Sequence, residues 1–164
     1  MRSHEEMLYL ISLEEVVWGF GLIGITMWIH GIGMLATMTA NDAIRARTAR
    51  LRRTNLGVGS VVLASLMIVF VHILEVLVWA GFFMVSDAMP NPHAAMYFSL
   101  MQYTTVGSDL HLPMHWRLLE GMIAIAGLMT FAWSTGVLFT LADKVSKRLR
   151  REARARGAVA AEDS

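Results

Sequence analysis

The sequence contains no cysteine in 164 residues. That absence excludes a disulfide framework, an iron–sulfur cluster and a thiolate zinc site. Charge is the second scarcity: only 16% of the residues are charged, against about 25% in ordinary soluble domains. The remainder is rich in apolar side chains, 55% of the total, so the chain must collapse or insert and cannot stay disordered. The length allows one domain. A formal net charge of +1 says nothing about partners until the charges are located.

The charges are missing in blocks. From Val16 to Asn41 there is no Asp, Glu, Lys or Arg; from Thr54 to Ser86 there is only Glu75; from Gly121 to Ala142 there is none. Crossing about 30 Å of hydrocarbon takes about 20 apolar residues. The sequence therefore predicts an all-α membrane protein with transmembrane helices over about 15–39, 56–85 and 115–142. Three buried helices of a soluble protein would leave too little polar chain to cover them. A fourth apolar stretch, Ala94–Met101, is too short to cross. Short apolar segments between spans are often re-entrant, and non-helical backbone at membrane depth survives only inside protein or beside water. The segment therefore points to a pore or cavity.

Basic residues set the orientation. Arg45, Arg47, Arg50, Arg52 and Arg53 lie in the first loop, and Lys144, Lys147, Arg148, Arg150, Arg151, Arg154 and Arg156 in the tail; only Arg2 and Arg117 lie elsewhere. The positive-inside rule places loop and tail in the cytoplasm of a bacterial-type inner membrane. The N-terminus, with Glu5, Glu6, Glu14 and Glu15, is then outside, as an odd number of spans requires. It lacks a basic n-region and a cleavage site, so the first helix is expected to be retained. Arginine runs also occur in nucleic-acid-binding proteins. Here their position beside spans assigns them to topology, with anionic lipid headgroups as a secondary partner and no nucleic acid. Gly157–Ser164 reads as a solvated, frayed end.

The segment between the second and third spans runs from Pro92 through Tyr103 to Thr104, Thr105, Val106, Gly107, Ser108 and Asp109. Pro92 can open a short helix, and Met96–Tyr103 can complete two turns. A short aromatic-rich helix, a Thr-Thr-Val-Gly run and a following span, in that order, resemble the pore loop of potassium-channel-like tetrameric cation channels. The likeness covers about Asn91–Lys144 and is to a small bacterial three-span variety. It implies a homotetramer of subunits with an outer helix, a pore helix, a filter and an inner helix, preceded by one added span. The implied division is 1–54 for the added helix and basic loop, 55–145 for the pore domain and 146–164 for the tail.

The resemblance also implies roles. Thr104, Thr105, Val106, Gly107, Ser108 and Asp109 would form the filter, with Thr105, Val106, Gly107 and Asp109 against the permeating cation. Potassium filters continue Tyr-Gly-Asp after the first glycine, whereas this chain continues Ser108-Asp109-Leu110. The tyrosine and second glycine are gone, and Asp109 moves to the mouth as a ring of four carboxylates. A short filter with an acidic ring is similar to cyclic-nucleotide-gated channels and bacterial sodium/potassium non-selective channels. The expected cargo is weakly discriminated K+ and Na+, with Ca2+ binding or block, and no organic cofactor. The expected protein is not an enzyme.

Polar residues at depth are the other candidates. His72, Glu75 and Trp79 share one helical face at i, i+3 and i+7. Intramembrane charges usually have a partner or a role. They could brace the pore helix or sense protons, or Glu75 could be a neutral carboxyl bonded to that helix. Tyr103 and Glu120 are further candidates for filter support. Glu120 could alternatively pair with Arg117 or be a solvated helix-end charge. His111 and His115 would sit at the mouth. Thr130, Ser134 and Thr135 could line a wet cavity or bond between helices, and Gly127 and Gly136 could be hinges or packing sites. Two other readings remain. His30 with His72 could ligate a b-type haem in a three-span anchor of the succinate dehydrogenase kind. The chain could also be a non-conducting, channel-like regulatory subunit with a collapsed filter.

Overall fold

The computed structural model describes residues 13–49 and 55–162. Among them the chain is all-helical. It comprises α1 (Leu13–Ala49), α2 (Asn55–Val85), the short α3 (Pro92–Tyr103) and α4 (Leu118–Glu162), with one 3-10 turn at Met114–Trp116. The three long helices are each long and apolar enough to cross a membrane. The 12 residues of α3 reach only about 18 Å and cannot. Large apolar side chains stand exposed on all three long helices, Trp28 at 72%, Leu66 at 62% and Phe139 at 75% among them. In water such a surface would be an aggregation hazard; against lipid it is the surface the solvent demands.

The helices outrun the apolar stretches that predict them. α1 continues to Ala49 and α4 to Glu162. The expectation of a frayed end from Gly157 is corrected here, since residues up to 162 are helical. The extension of α4 is rich in Arg and Ala, strong helix formers that need no hydrocarbon around them. Arg45 and Arg47 thus lie on α1. Arg2, Glu5, Glu6, Arg50, Arg52 and Arg53 fall outside the described residues.

Two compact units divide the chain: Met1–Ile32 with Phe70–Ala132, and Gly33–Val69 with Trp133–Ser164. The first holds an aromatic core around Trp79, Phe83, Phe98 and Tyr103, all essentially without exposure. Phe83 meets Phe98 edge-on at 5.6 Å and Phe82 meets Trp116 at 5.4 Å. These contacts fasten α3, and the 3-10 turn before α4, to α2. In the second unit Asn41 Nδ2 donates to the Ser60 carbonyl at 2.9 Å, and Lys147 pairs with Asp143 at 2.6 Å.

Two caps fix where helices of the first unit begin. Asn91 accepts from the His93 and Ala94 amides at 2.9 and 3.2 Å, with Pro92 as the first helical residue. Proline there costs nothing, because that N–H would be unbonded anyway. Asn91→Ala is expected to destabilise the unit by about 1 kcal/mol, measurable as a lower thermal midpoint in detergent. The second cap is long-range: the buried Glu15 of α1 accepts from the Leu118 amide at 3.0 Å, at the start of α4.

Candidate functional site

The Thr-Thr-Val-Gly run forms the C-terminal cap of α3. The Gln102 carbonyl accepts from the Thr105 amide at 3.0 Å, and the Met101 carbonyl from those of Val106 and Gly107 at 3.0 and 3.2 Å. This is a Schellman pattern, whose left-handed residue is usually glycine. Here Thr105 holds that position at φ +61°, and Gly107 follows at +83°. Val106 between them is not left-handed. A β-branched residue with positive φ is a strained outlier, by about 1–2 kcal/mol. Such strain collects where function over-determines the backbone.

The side chains of the run behave differently from one another. Thr104 Oγ1 turns back to the Leu100 carbonyl at 2.8 Å. Ser108 Oγ accepts from the Leu110 amide at 3.0 Å, so it shapes the turn. Thr105, Val106 and Asp109 are exposed. Among the described residues, no hydrogen bond engages the carbonyls of Thr105, Val106 or Gly107.

Behind the loop lies a buried polar cluster. Tyr103, the last residue of α3, donates its phenol proton to Glu75 Oε2. The same phenol oxygen is 2.9 Å from His72 Nδ1 and 2.6 Å from Thr130 Oγ1. Glu75 Oε1 lies 2.9 Å from His30 Nδ1. Each of α1, α2, α3 and α4 contributes to this cluster, and His30, Glu75 and Thr130 have no exposure. One assignment satisfies it: both imidazoles carry hydrogen on Nδ1, Glu75 accepts from His30 and Tyr103, and Tyr103 accepts from His72. Glycine is required beside it, since a Cβ on Gly127 would collide with the Tyr103 carbonyl oxygen.

The far end of the loop is held by a second carboxylate. Glu120 Oε1 accepts from the Leu112 amide at 2.7 Å, and Oε2 lies 3.4 Å from His111 Nδ1. Two acidic side chains on the long helices thus anchor the loop, Glu75 at its entry and Glu120 at its exit.

Several predicted residues therefore come together: His72, Glu75, Tyr103 and Thr130 in one network, Glu120 at the other anchor. Trp79 is placed differently, donating to Thr26 Oγ1 on α1 at 3.0 Å. Thr130 and Ser134 are buried within the chain, which is not the placement of cavity-lining hydroxyls. Thr130 faces Tyr103, and Ser134 Oγ lies 4.0 Å from Met34 Sδ. Thr135 and Gly136 are exposed. Gly127 serves as a packing site. His30 and His72 are neighbours on one carboxylate, their ring centroids 5.2 Å apart, and are not opposed across a macrocycle as axial haem ligands are. Sequence reasoning missed two participants. From the sequence His30 reads only as a haem ligand, and Glu15 only as an outer charge.

No protein-family model matches the chain, and neither the curated proteins nor the solved structures contain a significant match.

Proposed function

We propose that this chain is one subunit of a tetrameric cation channel whose filter is the loop after α3. The observation that carries the reading is the alternating backbone of Thr105, Val106 and Gly107. A backbone that alternates in this way can present successive carbonyls to a common axis, and four copies about that axis would make rings of oxygen that can replace an ion's water. The carbonyls involved have no competing donor within the described chain. α3 adds the negative end of its dipole at the same place, which favours cations. One loop per chain calls for closed symmetry to complete the ring.

Asp109 is exposed two residues beyond Gly107, where four carboxylates would gather cations at the mouth. The shortened filter lacks the outer carbonyl rings of a potassium filter, so discrimination between K+ and Na+ should be weak. The cytoplasmic side is the one carrying the basic ends of α1 and α4.

Proteoliposome flux tests the reading. Wild-type protein should admit both Na+ and K+. Asp109→Asn should slow entry about tenfold at low ionic strength, and the difference should shrink near physiological salt, where the Debye length is about 8 Å. Flux indifferent to Asp109→Asn at low salt would remove the acidic ring from the account. Absence of cation flux would contradict the pore.

A further inference from the structure

The cluster behind the loop contains more than a brace requires. Only Glu75 and Tyr103 are needed to tie α3 to α2; His30, from α1, adds a second imidazole to the same carboxylate. We infer that His30, His72 and Glu75 form a binding site for a first-row divalent metal of the Zn2+ class, joining α1 to α2 directly behind the loop.

The donor set and its dimensions support this. Each of the three residues offers one ligand atom, all within 4.8 Å of one another, and all three residues are buried. Bonds of about 2.0–2.1 Å at tetrahedral angles put neighbouring donors about 3.3 Å apart. His30 Nδ1 lies 2.9 Å from Glu75 Oε1 and His72 Nδ1 3.4 Å from Glu75 Oε2, spacings that a shared cation can bridge once both ring hydrogens move to Nε2. Two neutral imidazoles and one carboxylate make a borderline nitrogen–oxygen set, which suits zinc and its neighbours and not Mg2+ or Ca2+. His72 and Glu75 stand at i and i+3 on one helix, a spacing that bundle metal sites use. The Tyr103 oxygen, 2.9 Å from His72 Nδ1, is adjacent as a fourth donor.

His72 keeps 10% side-chain exposure, so the cluster is not wholly enclosed within the described chain. The inference does not depend on conduction, because none of the three ligands belongs to the filter.

The test is metal loading of the full-length protein in detergent. Protein stripped with a chelator and exposed to Zn2+ should retain about one zinc per chain after desalting, and Co2+ should give the visible bands of a tetrahedral centre. His30→Gln and Glu75→Gln should each weaken Zn2+ binding by at least tenfold. Asp109→Asn, at the loop mouth, should bind as wild type does, which separates this site from any cation in the filter. Because a variant could fail to fold, the Zn2+-induced rise in the wild-type unfolding temperature is measured as well, with Mg2+ as the ion expected to give none. Wild-type protein that retains no zinc and shows no thermal shift would overturn the inference. So would undiminished binding in a folded His30→Gln.

Discussion

Gly127→Ala is expected to destabilise the first unit by about 2–3 kcal/mol. The new Cβ would collide with the Tyr103 carbonyl oxygen and carbon. Those atoms are backbone at the end of α3, so no change of rotamer relieves the clash; α3 or α4 has to shift. Tyr103 carries the phenol on which His72, Glu75 and Thr130 converge, so the shift also disturbs the buried cluster and the loop that begins one residue later. Two other glycines are controls. Gly19→Ala would meet the Sδ and Cε of Met122, the far end of a flexible side chain that can move aside. Gly136→Ala meets nothing within 4 Å and should gain about 0.5–1 kcal/mol from helix propensity. Thermal unfolding of the three variants in detergent gives the comparison. Equal midpoints for Gly127→Ala and Gly136→Ala would show that α3 and α4 do not pack this closely.

The second large effect is at Glu75, and it should depend on the replacement. Glu75→Leu takes the carboxylate acceptor away from His30 and Tyr103 and puts apolar surface in its place, in a site with almost no exposure. Removing one partner of such a buried set costs about 3–5 kcal/mol. Glu75→Gln is milder in the metal-free protein, at about 1–3 kcal/mol. Its carbonyl can still accept from Tyr103, while its amide can donate to His30 Nδ1 once that ring moves its proton to Nε2. Unfolding midpoints of the chelator-treated variants should therefore fall in the order wild type, Glu75→Gln, Glu75→Leu. Equal loss in the two variants would mean that His30 cannot change tautomer, and no loss in either would remove Glu75 from the core of the account.

The long helices could be read from where charge is missing, because hydrocarbon tolerates little charge and the gaps at 16–41, 54–86 and 121–142 are long. Their true ends could not, since α4 continues through Arg- and Ala-rich chain on helix propensity alone. α3 was readable from Pro92 and the Thr-Thr-Val-Gly run that stops it. Its cap by Asn91 has a local signature, the residue before a helix-opening proline. The face shared by His72 and Glu75 follows from i, i+3 spacing. Their link to His30 does not, since it joins residues 45 apart in sequence and depends on how α1 packs on α2. The bond from Glu15 to Leu118, 103 residues away, was hidden for the same reason. Thr130 and Ser134 look like cavity hydroxyls in a list of inner-helix residues. Only the rotation of α4 about its axis shows that they face inward. The left-handed Thr105 was also beyond sequence reasoning, because threonine is among the residues least expected at positive φ.

The most direct measurement of the central claim is the reversal potential of the reconstituted protein in a planar bilayer under bi-ionic conditions, with Na+ on one side and K+ on the other, then Ca2+ against K+. A weakly selective cation pore lined by Thr105, Val106 and Gly107 predicts a cation current that reverses close to zero for Na+ against K+. Replacing the anion should not move it. A reversal potential that follows the anion gradient, or a membrane that carries no current with folded protein in it, would contradict the account.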